Sequence, residues 1–321
     1  MKQFEEMSDA EITAKLKQNK IDKGFAEKEP EWESEGLTLR DRYIEPPFSV
    51  LDAKTGSWQE RKKKWLELGI KSEVGRDATS FSTLEARNRG ATYMPNVGND
   101  ISIFDPALCE LMYSWFCPKD GTILDPFAGG SVRGIIAHKM GYKYTGIELR
   151  QEQVDSNIEQ AKEILPADNQ PTWICGDSEE VMKDWSWETN HFDMIFSCPP
   201  YANLEVYSDL PGDLSKIADT NYKSFIEKYE RIIWKASDLL AESGDFAVFV
   251  VGDIRDKNGN YLDFISDTKK AFTDPFKTAL KLYNDMVLLD PIGTAMIRAS
   301  KFGDNKKVVK IHQNVLCFRK Q

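Results

Sequence analysis

Histidine and cysteine are scarce in this chain, at three and five among 321 residues. No two cysteines form a C-x-x-C pair, and so thin a supply of ligands argues against a zinc site and against a disulfide framework. No metal is expected. No uninterrupted apolar run approaches the ~20 residues that a membrane span needs, so no membrane association is expected. The opening MKQFEEMSDAEIT is acidic and lacks an apolar core behind a basic start, so we expect no secretory signal and a reducing cytoplasm. Internal repeats and low-complexity segments are also missing, which leaves an ordinary globular chain.

Excess positive charge is missing too. The net charge is -10, but it is unevenly spread: residues 1–39 carry -4, 40–89 carry +3, 90–297 carry -15 and 298–321 carry +6. Local patches decide phosphate binding, so two modestly basic segments on an acidic body remain compatible with a polyanionic partner. The first includes Arg61, Lys62, Lys63 and Lys64, clustered opposite Trp58 and Trp65 on the helical run WQERKKKWLELG. The second includes Arg298 and Lys301. Each is a candidate nucleic-acid contact, set against the commoner reading of such a run as a solvated face.

What the chain does have is 41% apolar and 29% charged residues, with a mean hydropathy of -0.49. At this length one domain of about 200 to 250 residues with a smaller appendage is the default. Ser8 and Glu11 form a capping box that opens a short helix over about 9–19. Polar, irregular stretches follow at 24–47 and 88–100, and the boundary is placed near residue 90. Residues 1–90 are thus expected to be an N-terminal accessory segment and 91–321 the main domain.

The main domain alternates. Asp105-Pro106 caps a helix running to about Phe116. Strand and turn GTILDPFAGG, helix SVRGIIAHKM, strand YKYTGIEL, helix QEQVDSNIEQAKEIL, strand TWICGDS, strand FDMIFSCPPY, a long helix from Tyr222 and strand DFAVFVVGD follow. Regular β-α alternation with short connections predicts an α/β, doubly wound, Rossmann-like parallel sheet. NDMVLLDP and VVKIHQNVLCFRK, with no helix clearly between them, would add an antiparallel pair at one edge.

Ligands of such a sheet sit beyond the carboxyl ends of its strands, and four of those ends are distinctive. Asp125-Pro126-Phe127-Ala128-Gly129-Gly130-Ser131 is a turn of small residues that lets a ligand approach the backbone, with a helix N-terminus behind it. Asp125 could accept from a ligand ammonium. Glu148 stands 23 residues after Asp125, a spacing suited to ribose hydroxyls. Asp177-Ser178 is placed to accept from an adenine amino group. The fourth is Ser197-Cys198-Pro199-Pro200-Tyr201, within FDMIFSCPPYANLE. Singly, these are a tight turn, a surface charge, a helix cap and a small cysteine ending a strand; together, in order, they point to one site. Asp253 and Arg255 could line the cleft or close a loop salt bridge.

In these residues the sequence resembles the DNA amino-methyltransferases that act on exocyclic N4 of cytosine or N6 of adenine. DPFAGGS is similar to their cofactor motif, GIEL and GDS to the two that follow, and SCPPY to the catalytic [DNS]-P-P-[YFW] motif. The resemblance covers roughly 102–320 and leaves out the first ninety residues. It implies S-adenosylmethionine as cofactor, DNA as partner, cofactor contact at Asp125, Phe127, Gly129, Glu148 and Asp177, and base contact at Cys198, Pro199 and Tyr201. Ser-x-Pro-Pro-Tyr leans toward cytosine. Gly130-Ser131 inverts the usual Ser-Gly order, which adjacent glycines tolerate.

Cys198 departs further. An exocyclic amine is a poor nucleophile because its lone pair is delocalised into the ring, and acceptors on its N–H groups draw that pair out. Thiol sulfur is a weak acceptor; Ser197, Asn203 or Glu205 are candidates to supply another. Three alternatives stay open: C5 methylation of cytosine through Cys198, a methyltransferase for RNA or protein glutamine, and a nucleic-acid-binding module with little or no catalysis.

Overall fold

The structure is a computed structural model that describes residues 38–71, 104–201, 210, 212–242, 245–256, 258–292 and 295–321. The expected helix over 9–19, the irregular stretch 88–100, and Asn203 and Glu205 lie outside them. The chain forms two compact units, 1–47 and 48–321.

In the first unit, α1 (Leu39–Tyr43) opens on a capping box: Thr38 Oγ1 accepts from the Asp41 N–H, and the Asp41 carboxylate accepts from the Thr38 N–H at 2.8 Å. Arg40 pairs with the buried Glu45 at 2.9 Å.

The second unit follows, in order, β1 (Val50–Asp52), α2 (Gly56–Leu66), α3 (Pro106–Phe116), β2 (Thr122–Asp125), α4 (Val132–Lys139), β3 (Lys143–Glu148), α5 (Gln151–Ile164), β4 (Thr172–Cys175), α6 (Ser178–Val181), β5 (Met194–Ser197), α7 (Leu214–Thr220), α8 (Tyr222–Asp238), β6 (Phe246–Val251), α9 (Phe264–Thr273), β7 (Leu280–Leu289), α10 (Ala295–Ala299), α11 (Phe302–Asn305) and β8 (His312–Lys320). The strands form one eight-stranded sheet in the order β1-β7-β8-β6-β5-β2-β3-β4. β8 runs antiparallel to both neighbours, and every other pairing is parallel. The chain is an α/β, Rossmann-like, doubly wound domain whose strand order reverses between β2 and β5.

Strand alternation divides the core. Leu124, Ile195, Ala247, Phe249 and Val251 join α8 and α9 in one cluster, where Phe249 meets Phe272 at 4.7 Å between ring centroids. On the opposite face Phe196 meets Tyr113 of α3 at 5.2 Å, and Phe246 meets Phe116 at 5.0 Å. The fully buried rings Phe196, Phe249 and Phe272 each contribute roughly 1.5–3 kcal/mol by leaving water.

The larger unit begins at Phe48. β1 extends the sheet beyond β7, with Leu51 opposite Leu288, so the antiparallel pair is present but β1 forms the edge. α2 packs on α3 through Trp58, which is 2% exposed and whose Nε1 donates to Asp105 at 3.2 Å. Arg61 and Trp65 both donate to Glu110, at 2.7 and 2.6 Å. Apolar packing and two half-buried acceptors, Asp105 and Glu110, therefore hold α2 to α3. α9 supplies the crossover that makes β7 parallel to β6, and α10 and α11 lie between β7 and β8, where no helix was expected.

Candidate active site

Four turns converge at the carboxyl edge of β4-β3-β2-β5, across the point where strand order reverses. The turn after β2 is built around Asp125, which is 0% exposed. Its Oδ2 accepts from Arg133 Nε at 2.5 Å and from the Tyr144 hydroxyl at 2.7 Å. Its Oδ1 accepts from the Ser197 hydroxyl at 2.5 Å and from the Phe127 N–H at 3.2 Å. The carboxylate is therefore saturated from within the protein, and the expected contact between Asp125 and a ligand ammonium gives way to a scaffolding role.

Arg133 extends that scaffold. Its Nη2 donates to the carbonyls of Phe127 and Ala128 at 2.7 and 2.6 Å, and its guanidinium lies 4.7 Å from the Phe104 ring centroid. Burial alone would disfavour its charge, but Asp125 overrides that and pushes the Arg133 pKa up. Arg133 opens the apolar helix VRGIIAHK, and a charge on a helix whose neighbours are all buried was the available signal for this partner.

Pro126, Phe127, Ala128 and Gly129 follow. Gly129 takes a left-handed φ of 53°, which turns its N–H onto Glu148 Oε2 at 3.0 Å while its carbonyl accepts from Asn157 at 2.8 Å. Glu148, at the end of β3, also accepts from the Arg150 N–H at 3.0 Å and pairs with the Arg150 side chain at 3.6 Å. Its side chain is 13% exposed, at the mouth of the turn. The Phe127 ring is half-buried between Tyr229 and Phe249.

After β4, Asp177 caps α6 by accepting from the Glu179 N–H at 3.0 Å, and its other oxygen pairs with Lys228 of α8. Lys228 also donates to the Gly212 carbonyl at 3.3 Å, a partner that no local pattern signals because it lies 51 residues away in sequence from Asp177. Ser178 donates to the Pro126 carbonyl at 2.5 Å. The serines after β4 and at the end of β5 thus both lock onto the β2 turn.

Ser197 is 0% exposed and faces Asp125, so it is not the extra acceptor for a base amine. Cys198 is half-buried, Pro199 buried, Pro200 half-buried, and Cys198 Sγ lies 3.4 Å from the Tyr201 hydroxyl. Tyr201 in turn donates to Gln313 Oε1 at 2.9 Å, with the Val250 carbonyl at 3.4 Å. The remaining cysteines stand apart: Cys109, Cys117 and Cys317 are buried and Cys175 is exposed.

Of the basic candidates, Arg61 pairs with Glu110, Lys62 pairs with Asp105 at 3.2 Å, and Lys63 and Lys64 are exposed. Arg298 lies on α10 and Lys301 is exposed just before α11. Asp253 accepts from the Ile265 N–H at 3.3 Å and lies 3.9 Å from Lys310, while Arg255 stacks on Tyr261 and donates to the Gly259 carbonyl, so both close loops. Among the described residues, no helix is long and apolar enough to cross a membrane, and no group of three or more His, Cys, Asp and Glu is placed to hold a metal ion.

No model of a known protein family matches the chain, and no curated protein matches it. Solved structures do. TrmN from Thermus thermophilus superposes with a TM-score of 0.46 over 68% of this chain and 49% of that one, at 13% identity. A second protein of Thermus thermophilus, provisionally named a DNA modification methylase, gives 0.32 over 45% of this chain and 50% of that one, at 17% identity. Magnesium protoporphyrin IX methyltransferase from Synechocystis PCC 6803, with SAM bound, gives 0.43 over 76% of this chain and 93% of that one, at 12% identity. The chain spans about half the length of the first two. Likenesses of this size identify neither a family nor a substrate.

Proposed function

We propose that the chain transfers a methyl group from S-adenosylmethionine to an exocyclic amine of a base turned out of DNA, with cytosine N4 favoured over adenine N6. The observation that carries this reading is the direct bonding between the two motif-bearing turns: Ser197, next to the Cys-Pro-Pro-Tyr turn, donates to Asp125, which shapes the Pro-Phe-Ala-Gly turn. A cofactor site and a base site separated by one hydrogen-bonded carboxylate suit a transfer in which donor and acceptor atoms must be held in line.

The residues fit the cofactor at one side of the cleft. Glu148 presents a carboxylate, which can accept about four hydrogen bonds, at the distance along the chain suited to ribose hydroxyls. Gly129 and Gly130, both half-buried, lie at the end of the turn beside it, and Phe127 offers an apolar wall. Asp177 is available to an adenine amino group only by sharing an oxygen already engaged by the Glu179 N–H or by Lys228. When bound, S-adenosylmethionine supplies an electrophilic methyl group. The chain's own part is to orient the amine: the Pro199 carbonyl accepts one N–H, the Cys198 sulfur faces the other, and the Tyr201 ring supports the base. Cytosine C5 chemistry would need Cys198 as a thiolate, and the hydroxyl 3.4 Å from its sulfur is a phenol, which is no base for the thiol proton.

The test is incubation with DNA and, separately, RNA in the presence of labelled S-adenosylmethionine, followed by digestion to nucleosides and mass analysis. N4-methylcytosine or N6-methyladenine from DNA is the expected product. 5-Methylcytosine would replace the amine reading with the covalent one, label in RNA alone would change the substrate, and label in neither, with cofactor binding shown calorimetrically, would remove the enzymatic reading.

A further inference from the structure

β7 ends at the carboxyl edge of the sheet with Leu289, and β8 begins opposite it at His312, so the 290–311 connection stands beyond that edge. Its foot is fixed. The Asp290 N–H donates to the Ile311 carbonyl at 3.0 Å, and Gln313 Nε2 lies 3.3 and 3.4 Å from the two Asp290 carboxylate oxygens. Gln313 Oε1 accepts from the Tyr201 hydroxyl at 2.9 Å, which joins the connection to the Pro-Pro-Tyr turn.

Beyond that foot the connection encloses an apolar groove of about 400 Å³, lined chiefly by Ile292, Ala295, Met296, Phe302, Val308 and Ile311. Ile292, Met296, Phe302 and Val308 are exposed. A cluster of this kind with a polar rim marks an interaction site. The rim here is cationic: Lys301 and Lys306 cap the two ends of α11 and are exposed, with the Lys306 ammonium 5.6 Å from the Phe302 ring. Five basic residues stand against one acidic, Asp304, over 298–310, in a chain whose net charge is -10.

An apolar floor beside cations suits a partner whose flat apolar faces are strung on anions, which is the chemistry of an unpaired nucleic-acid strand. A second copy of the chain fits less well, because a two-fold contact through this face sets each pair of lysines against its twin, and like charges so placed are costly. A closed duplex offers the groove only phosphates, since its bases are already stacked. The place is right for the same strand. β8 and β7 lie two and three positions from β5 in the sheet, roughly 10–15 Å along the edge from the Cys-Pro-Pro-Tyr turn, which a strand covers in a few nucleotides.

We propose that the groove takes an unpaired nucleotide of the substrate strand, a few nucleotides from the target base, with its base against Phe302 and Met296 and its phosphates on Lys301 and Lys306. The inference rests on the nucleic-acid reading above and deepens it. It assigns a strand with an unpaired flank, rather than a closed duplex, as the preferred substrate.

The experiment measures binding by fluorescence anisotropy to the full-length chain, without cofactor, of a short single-stranded oligothymidylate, an abasic strand of equal length, and a duplex. Wild type is compared with F302A, F302W and M296A, each first checked by thermal unfolding; Phe302 and Met296 are exposed, so the variants should fold. Wild type should bind oligothymidylate about ten-fold tighter than the abasic strand, the worth of one stacked base, and tighter than the duplex. F302A should bind the base-bearing and abasic strands alike, M296A should narrow the gap, and F302W should keep it. The affinity of F302A for S-adenosylmethionine should equal that of wild type. A wild type that binds no strand, or binds both strands equally, overturns the inference, as does an F302A that keeps the wild-type preference. A wild-type dimer in sedimentation that F302A abolishes gives the groove to a second copy and overturns it too. Preference lost in F302A while wild type methylates no nucleic acid leaves the groove standing and sinks the catalytic reading; methylation of DNA with the preference intact in F302A does the reverse.

Discussion

Asp125 accepts four hydrogen bonds in a place where water replaces none of them. Its pair with Arg133 is not itself a large source of stability, because both charges gave up hydration to form it. Breaking it is another matter. D125A leaves a guanidinium buried beneath Phe104 with no counter-charge, and such losses cost about 3–5 kcal/mol. In a domain of this size that is a fall of roughly 10 °C in unfolding midpoint, measurable by circular dichroism. A midpoint within about 2 °C of wild type would show that other groups hold the turn. On the proposed reading, Cys198 is the residue where chemistry rather than stability is at stake. A hydroxyl accepts better than a thiol, so C198S should retain or raise kcat in a methyl-transfer assay, and C198A should lose about ten-fold, the worth of one charge-orienting hydrogen bond. Loss of all activity in both would instead mark the sulfur as a nucleophile.

At the scale of elements, β3 is fitted to the turn it supports. Gly146 lies opposite Asp125 in register, and a Cβ there would stand 2.8 Å from the Ala128 Cβ and 2.8 Å from the Tyr144 ring. Both neighbours are fixed, Ala128 by the turn and Tyr144 by its bond to Asp125. G146A should therefore cost about 1–3 kcal/mol by overpacking and weaken S-adenosylmethionine binding in calorimetry, because the turn is displaced toward the cleft. Unchanged affinity would show that the turn is not part of the cofactor site. The strands and long helices from 106 to 251 were legible because each carries its own period and caps, and the four strand ends because small residues and carboxylates mark them; α9 was not read. Three further features were not legible. β1 is three residues long, too short to show an alternation, and it needs β7 to exist. α2 reads as a basic helix, whereas Trp58, Arg61, Lys62 and Trp65 are committed to the acceptors Asp105 and Glu110, about 45 residues away in sequence. Finally, sequence places Asp125 and Ser197 at strand ends but not the face to which each turns, and that rotation separates a scaffold from a ligand contact.

For the whole molecule, charge is the property that sets how a polyanion is met. The chain carries -10 overall and -15 over 90–297, so long-range attraction is weak and binding must rely on local cations. Half of the basic cluster on α2 is already spent on Asp105 and Glu110, leaving Lys63 and Lys64 exposed. The 290–311 connection is different. It leaves the sheet at the carboxyl edge, between β7 and β8, the strands that bracket Asp290 and Gln313. Lys301 and Lys306 are exposed there, with the Lys306 ammonium 5.6 Å from the Phe302 ring. If these two lysines meet phosphates, each accounts for one released counterion, and K301A/K306A should make the slope of log affinity against log salt shallower by about 2. The affinity loss should be uniform across DNA sequences, because phosphates carry no base identity. S-adenosylmethionine affinity should be unchanged. Fluorescence anisotropy over a salt series, run beside K63A/K64A, separates the two basic segments: whichever pair leaves the slope untouched faces solvent alone, and an unchanged slope in both would place the polyanion contacts elsewhere on the chain.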